Sequence, residues 1–154
     1  MLSYKKDLGH WKFNEDFDPD HWFGFLYCIE NTVTKQFYLG KKQFRIQGKK
    51  RSKNYGKEHK WRSYVGSSEH LKKDIKLYDK DKFRFDMIEL YRTRGGLNYV
   101  EAWCQMVSNS MTDCLDDEET PRWYNRQVAA IRWVPSETPT QRVKNYLKNL
   151  KRRY

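Results

Sequence analysis

The chain has few cysteines and no long apolar run, and each shortage excludes a class of protein. Its three cysteines, Cys28, Cys104 and Cys114, are odd in number and far apart, and none belongs to a Cys-x-x-Cys pair. The histidines do not stand at zinc-ligand spacings, so neither a disulfide framework nor a structural zinc site is expected. No apolar run approaches the roughly 20 residues of a membrane-spanning helix.

Targeting signals are missing as well. The segment from Met1 to Asp7 contains Lys5 and Lys6 and lacks the apolar stretch of a signal peptide. No convincing amphipathic helix or anchor indicates attachment to a membrane. We therefore expect a cytoplasmic protein with no membrane partner.

The residues that are abundant are cations and aromatics. With 154 residues the chain fits a single domain, and 16% of it is Phe, Trp or Tyr, so aromatic rings must supply much of the core. The formal net charge is +11. A charge of this size attracts polyanions, and nucleic acid is the commonest such partner.

Alternating apolar residues predict strands near residues 23–29, 36–42 and 83–91, the first two joined as an antiparallel hairpin. Helical spacing follows Ser67-Ser68 and recurs at about 97–108 and within 141–154. The order β-β-loop-α-β-α predicts an α+β fold. We divide the chain into an N-terminal extension (1–21), a central domain (22–135) and a basic C-terminal tail (136–154).

The segment 41–62 is the most biased part of the sequence, with ten Lys or Arg residues against one acid, Glu58. We predict a basic, flexible loop that follows the phosphates of a nucleic acid, assisted by the cations of the tail. Aromatic residues between the cations are suited to stacking on bases. The predicted DNA-binding residues are Lys41, Arg45, Lys49, Lys50, Arg51, Lys53, Trp61 and Tyr64.

Two tripeptides in the hairpin carry a family resemblance. Phe25-Leu26-Tyr27 and Tyr38-Leu39-Gly40 resemble the paired Gly-Ile-Tyr and Tyr-Ile-Gly motifs of GIY-YIG nucleases. Further segments follow in the order typical of a bacteriophage branch of that superfamily, which resembles homing endonuclease catalytic domains: 40–44, 61–68, 99–102 and 124–125. The resemblance implies a small three-stranded antiparallel sheet flanked by helices, and a metal-dependent endonuclease acting on DNA.

The resemblance also implies roles for single residues. Tyr27 and Tyr38 would enter one pocket and position or deprotonate the attacking water. Glu101 would be the only protein carboxylate on one Mg²⁺ or Mn²⁺ ion per site, and Asn125 would support the site nearby. A phage-encoded enzyme of this type would act in the host cytoplasm, as a monomer or transient homodimer.

The phosphate-clamping arginine of the family has no counterpart at its usual spacing, where this sequence has Gly48. Arg62 is the first substitute, and Arg45 and Arg51 remain alternatives. Lys42 or Lys41 would supply a second cation, and His59 a proton shuttle. The missing arginine favours an alternative class, a non-catalytic nucleic-acid-binding module on the same fold. An RNA- or ribosome-associated protein fits the charge but leaves the ordered motifs unexplained.

Overall fold

The computed structural model describes residues 7–128 and 136–153, and it has the α+β fold expected from the sequence. Three strands form one antiparallel sheet in the order β2-β1-β3. The strands are β1 (Gly24–Asn31), β2 (Gln36–Gln43) and β3 (Phe83–Tyr91), and the helices are α1 (Glu69–Tyr78), α2 (Arg94–Val107) and α3 (Gln141–Lys151). Short 3-10 turns occupy Pro19–His21 and Lys80–Lys82.

Local side-chain bonds explain where the elements begin and end. In the hairpin turn, the Oδ1 atom of Asn31 accepts bonds from the backbone N–H groups of Val33 and Thr34, at 3.0 and 3.2 Å. Ser68 caps α1 by accepting a bond from the Leu71 N–H at 3.2 Å. Thr93 caps α2 in the same way, so this helix begins at Arg94, three residues before the expected start.

The sheet has a hydrophobic cluster on each face. One face packs against α2 and α3, through buried side chains that include Leu39, Leu97 and Leu147. The other face is mainly aromatic and takes up Trp11 from the N-terminal extension. The predicted division into three segments stays a prediction, but Trp11 and the apolar face of α3 both share the core of the domain.

The two outer edges of the sheet are covered only in part. At the edge of β3, the Lys12 N–H bonds to the Phe85 carbonyl at 2.8 Å. At the edge of β2, residues 122–124 run parallel to the strand and bond to the backbone of Phe37. Within the described residues this strand-like pairing does not extend beyond Phe37, so the edge of β2 is left open near Gly40.

The prediction of a flexible loop over residues 41–62 is wrong in part, because parts of this segment form backbone hydrogen bonds. Lys41 and Lys42 belong to β2. Residues 44–59, called here the basic arm, have a hydrogen-bonded base in which the Ile46 N–H bonds to the Lys57 carbonyl at 2.7 Å and the His59 N–H to the Phe44 carbonyl at 2.7 Å. Among the described helices, none has the length and apolarity needed to cross a membrane.

Candidate active site

A cleft of about 600 Å³ opens at the uncovered edge of β2. It receives side chains from both faces of the sheet, because α1 approaches the strand from one face and α2 from the other. The residues that line it include Tyr27, Tyr38, Gly40, Lys41, Tyr64, Ser67, Glu101, Gln105, Asn125 and Arg126. The two phenols and the carboxylate implied by the family resemblance therefore share one cavity.

Gly40 lets the side chain of Tyr27 reach this edge. The two residues are direct partners across β1 and β2. A Cβ atom on Gly40 would lie 2.4 Å from the Tyr27 hydroxyl oxygen, closer than non-bonded atoms approach. Any larger residue would push the phenol away, so the glycine of the Tyr-Leu-Gly motif has a steric role.

The phenols form a group at one wall of the cleft. The ring centroid of Tyr27 lies 6.1 Å from that of Tyr38 and 6.1 Å from that of Tyr64. The hydroxyls of Tyr38 and Ser67 are 3.0 Å apart, which ties β2 to the turn before α1. Gly66 in this turn has a φ of +85°, and a Cβ atom there would lie 2.8 Å from the Tyr38 ring, so the glycine leaves room for the ring.

Tyr27 and Tyr38 differ in exposure. Tyr27 is 1% exposed, and burial, followed by the neighbouring Tyr38 and Tyr64, raises its pKa well above the usual value for a phenol. It therefore keeps its proton at neutral pH. Tyr38 is only half-buried, so its hydroxyl is the one of the two that a water molecule in the cleft can reach.

Glu101 faces the cleft from α2 and is bound by Lys41. The Lys41 Nζ atom lies 3.0 Å from Oε1 of the carboxylate, whose side chain is 13% exposed. Burial raises the pKa of Glu101, whereas the Lys41 ammonium and the Lys41 backbone N–H act to lower it.

Asn125 is fixed to the strand beside the site. Its Oδ1 atom accepts a bond from the Leu39 N–H at 3.0 Å, and its Nδ2 atom donates to the Leu39 carbonyl at 2.7 Å. The side chain thereby continues the pairing of β2 for one residue after the backbone pairing stops. Its position between Tyr38 and Gly40 suits a residue that supports the cleft.

Arg62, the first candidate for the phosphate-clamping arginine, lies outside the cleft. The guanidinium of Arg62 stacks on the Trp61 ring at 4.3 Å, pairs with Glu58 and donates to the Asp7 carbonyl. It does not line the cleft. The expectation for Arg62 is therefore not supported, because its charge is already taken up at the back of the domain.

The two other arginines proposed as alternatives also lie away from the cleft. Arg45 pairs with Asp20 and donates to the Gly56 carbonyl, so it fastens the basic arm to the N-terminal extension. Arg51 is exposed near the tip of the arm. Neither residue lines the cleft.

Lys42 and His59 form a pair behind the wall of phenols. The Lys42 Nζ atom lies 2.8 Å from Nδ1 of His59 and 4.0 Å from the centre of the Tyr64 ring. Burial lowers the pKa of both groups. Neither lines the cleft, so Lys42 can act there only through Tyr64, and His59 only through Lys42.

Trp61 is a core residue, which corrects its expected contact with DNA. It is 1% exposed and packs against Phe25 and Phe44, with ring centroids 6.0 and 5.0 Å apart. A ring in this position cannot stack on a base. Tyr64 is half-buried and lines the cleft, so its contacts with a nucleic acid would be made inside the site.

The residues that line the cleft and were not predicted as site residues include Gln105, Tyr124 and Arg126. Gln105 lies one helical turn after Glu101, a spacing that indicates a shared face. Tyr124 donates to the Asp74 carboxylate at 2.7 Å and so links α1 to the segment before Asn125. Arg126 directly follows Asn125, and only this adjacency could have indicated it.

The oxygen donors of the cleft fit a magnesium-like ion whose remaining ligands come from water and the substrate. Among the described residues, no group of three or more His, Cys, Asp or Glu side chains could hold a metal by itself. Mg²⁺ is commonly bound through one or two carboxylates, with water and substrate phosphates as the other ligands. The carboxylate of Glu101 meets that requirement, with Gln105 as a neutral oxygen donor nearby.

A hairpin with two converging tyrosines, next to a helix carboxylate, defines the GIY-YIG class of nuclease domains. The chain matches the family described as "Putative endonuclease segE, GIY-YIG domain" over residues 10–128, and it therefore belongs to that family. The match starts in the N-terminal extension and ends just after the cleft residues. No curated protein and no solved structure gives a significant match to the chain.

Proposed function

We propose that this protein is a Mg²⁺- or Mn²⁺-dependent DNA endonuclease of the phage or mobile-element type, with one ion per site. The observation that carries the proposal is the shared cleft, where the Tyr27 and Tyr38 phenols and the Glu101 carboxylate meet at the open edge of β2. The ion would be held by Glu101 and would supply Lewis-acid stabilisation of the charge that develops on the phosphate.

The protein's own groups then divide the remaining work. Tyr38 is the accessible phenol and orients the attacking water, with the Ser67 hydroxyl 3.0 Å away as its partner. Tyr27 keeps its proton because burial raises its pKa, so it acts as a fixed hydrogen-bond donor. Lys41 balances the Glu101 charge and presents the ammonium nearest to an entering phosphate.

The surface charge supports DNA as the substrate. At the tip of the basic arm Lys49, Lys50, Arg51 and Lys53 are all exposed, and within the described residues none of them has an ion-pair partner. Such cations release counterions from DNA when they contact phosphates, which makes binding strongly salt-dependent. The protein would act as a monomer or a transient homodimer, since one cleft cuts one strand at a time.

Plasmid nicking with Mg²⁺ and with EDTA tests the proposal. Glu101→Gln keeps the size of the side chain but removes its charge, so cutting should fall by about 10³-fold. DNA affinity measured with Ca²⁺ should stay within about twofold of the wild type, because the phosphate contacts remain. The matched control is Glu69→Gln. Glu69 is an exposed glutamate at the rim of the same cleft, and it pairs with Lys72.

The control should cut at the rate of the wild type. Wild-type protein that binds duplex DNA but does not cut it with either metal would contradict the proposal. That result would favour the non-catalytic module, for which the displaced Arg62 is the supporting observation. Tighter binding of structured RNA than of duplex DNA at the same salt would favour the RNA-associated class.

A further inference from the structure

A second groove continues the cleft along β2. It has a volume of about 290 Å³ and lies between the end of the strand and the first turn of α2. Its polar lining consists of Lys41, Gln43, Arg94 and Asn98. Because Lys41 also lines the cleft, the two cavities adjoin at this residue and together follow the open edge of the strand.

An arginine without an acidic partner among the described residues stands at each end of this path. Arg126 lines the outer part of the cleft and donates through NH1 to the Trp123 and Asn125 carbonyls, at 2.9 and 3.0 Å. Arg94 lines the second groove, with its guanidinium 5.9 Å from the centre of the Phe23 ring. Both arginines are exposed.

Other arginines near the hairpin differ in this respect. Arg45 and Arg62 both pair with carboxylates, Asp20 and Glu58, and neither lines the path. Their charges are neutralised before any DNA arrives. The guanidinium groups of Arg94 and Arg126 keep free N–H donors for an incoming phosphate, and guanidinium binds phosphate in a bidentate manner.

We propose that the open edge of β2 is the track for the backbone of the cut strand, with Arg126 and Arg94 on phosphates at opposite sides of the scissile one. This inference rests on the proposed endonuclease function and adds the direction and footprint of the substrate. The scissile phosphate lies over Gly40 and Lys41, between the two arginines.

The dimensions of the strand suit this footprint. Four residue steps separate Leu39, which is bonded to Asn125, from Gln43 in the second groove. A strand rises by about 3.3 Å per residue, so the path is about 13 Å long. One strand of duplex DNA carries a phosphate for about every 3.4 Å of helix axis, and because the backbone winds round this axis, neighbouring phosphates lie about twice as far apart along the strand. The path therefore covers about three phosphates, the scissile one and one on each side.

The test is DNA binding in Ca²⁺ by Arg94→Ala and Arg126→Ala, on duplexes with one uncharged methylphosphonate at each linkage around the cut. On unmodified DNA each variant should bind about tenfold more weakly, and the slope of log K against log salt should fall by about 0.9. The defect of Arg126→Ala should disappear when the methylphosphonate lies on one side of the cut, and that of Arg94→Ala when it lies on the other.

Arg92→Ala is the matched control, because Arg92 is exposed two residues before Arg94 and packs on the Trp22 ring outside both cavities. It should bind like the wild type. Arginine variants that bind normally, or whose defects persist with every methylphosphonate within three linkages of the cut, would overturn the track while wild-type cutting still supports the nuclease. Wild-type protein that does not cut would overturn both.

Discussion

The cleft and the basic arm both carry cations, but they hold them in different ways. In and behind the cleft, Lys41 is bound to Glu101 and Lys42 to His59, at 3.0 and 2.8 Å. At the tip of the arm, Lys49, Lys50 and Lys53 are exposed, and none has an ion pair within the described part of the chain. The two lysines at the cleft are held in fixed positions, whereas the lysines of the arm are left free.

This difference corresponds to two physical tasks. Catalysis needs groups that already stand where charge develops, because reorganising them during the reaction raises the barrier. Sequence-independent affinity needs only positive charge within reach of phosphates. We therefore expect substitutions of the fixed groups in the cleft to change the cutting rate more than the affinity, and substitutions in the arm to do the opposite.

After loss of the Glu101 carboxylate, the largest effect should come from Gly40→Ala. The added Cβ atom would lie 2.4 Å from the Tyr27 hydroxyl oxygen, so the phenol must move by about 1 Å. A displacement of that size at a reacting centre typically costs about 100-fold in rate. Overpacking should also lower the free energy of unfolding by about 1–3 kcal/mol. Single-turnover cutting and urea denaturation measure the two effects.

The control for this variant is its own DNA affinity. Because the arm is unchanged, binding in Ca²⁺ should stay close to that of the wild type at a temperature where the variant is folded. A variant that folds and cuts normally would show that the close contact between Gly40 and Tyr27 has no catalytic meaning. The proposed difference between the cleft and the basic arm would then lose its clearest structural support.

Local patterns were sufficient to predict the fold, and the resemblance to GIY-YIG nucleases named the main members of the cleft. Alternation of apolar residues places the strands, and the two tripeptides align Tyr27 with Gly40 once the hairpin is paired. The turn between them is set by Asn31, whose side chain bonds to the next backbone N–H groups. These features depend on neighbours in sequence, so sequence alone contains them.

Features that depend on distant contacts could not be predicted in this way. Trp61 looks like a base-stacking residue because it stands among cations, yet it enters the core through contacts with Phe25 and Phe44. Arg62 is removed from the cleft by Glu58 and by the Asp7 carbonyl. Arg126 reaches the cleft only because Asn125 is bonded to β2. None of these pairings has a periodicity that a single sequence reveals.

A smaller effect is expected from the arm, where Lys49, Lys50 and Lys53 are replaced together by Gln. Loss of three phosphate contacts should lower the slope of log K against log salt by about 2.7. The rate of cutting at saturating protein should stay unchanged, because the cleft is not altered. Fluorescence anisotropy over a range of salt concentrations measures the slope, and single-turnover cutting measures the rate.

A matched control removes the same charge from the other end of the sheet. Lys76, Lys80 and Lys82 lie in or after α1, and the Lys82 carbonyl bonds to Thr32 in the hairpin turn, opposite the arm. Their replacement by Gln should leave the slope nearly unchanged. Equal changes in both triple variants would mean that net charge alone, and not contact by the arm, governs the affinity.

The smallest effect concerns how the cleft is supported from behind by His10. The His10 ring stacks on Phe85 at 3.9 Å, and its Nε2 atom is 2.9 Å from the carbonyl of Tyr64. Burial, and then the Lys80 charge, lower the pKa of His10 from its ordinary 6.5 to about 4, so protonation favours the unfolded chain. The stability that neutral His10 provides is complete above pH 6.5 and is lost as the pH falls towards 4.

His10→Phe keeps the stacking but cannot titrate, so the melting temperature of this variant should fall less than that of the wild type between pH 6.5 and 4.5. Because His10 supports Tyr64 and not the arm, the salt slope of the variant at pH 7.5 should equal that of the wild type, and a changed slope would show that the two regions are coupled.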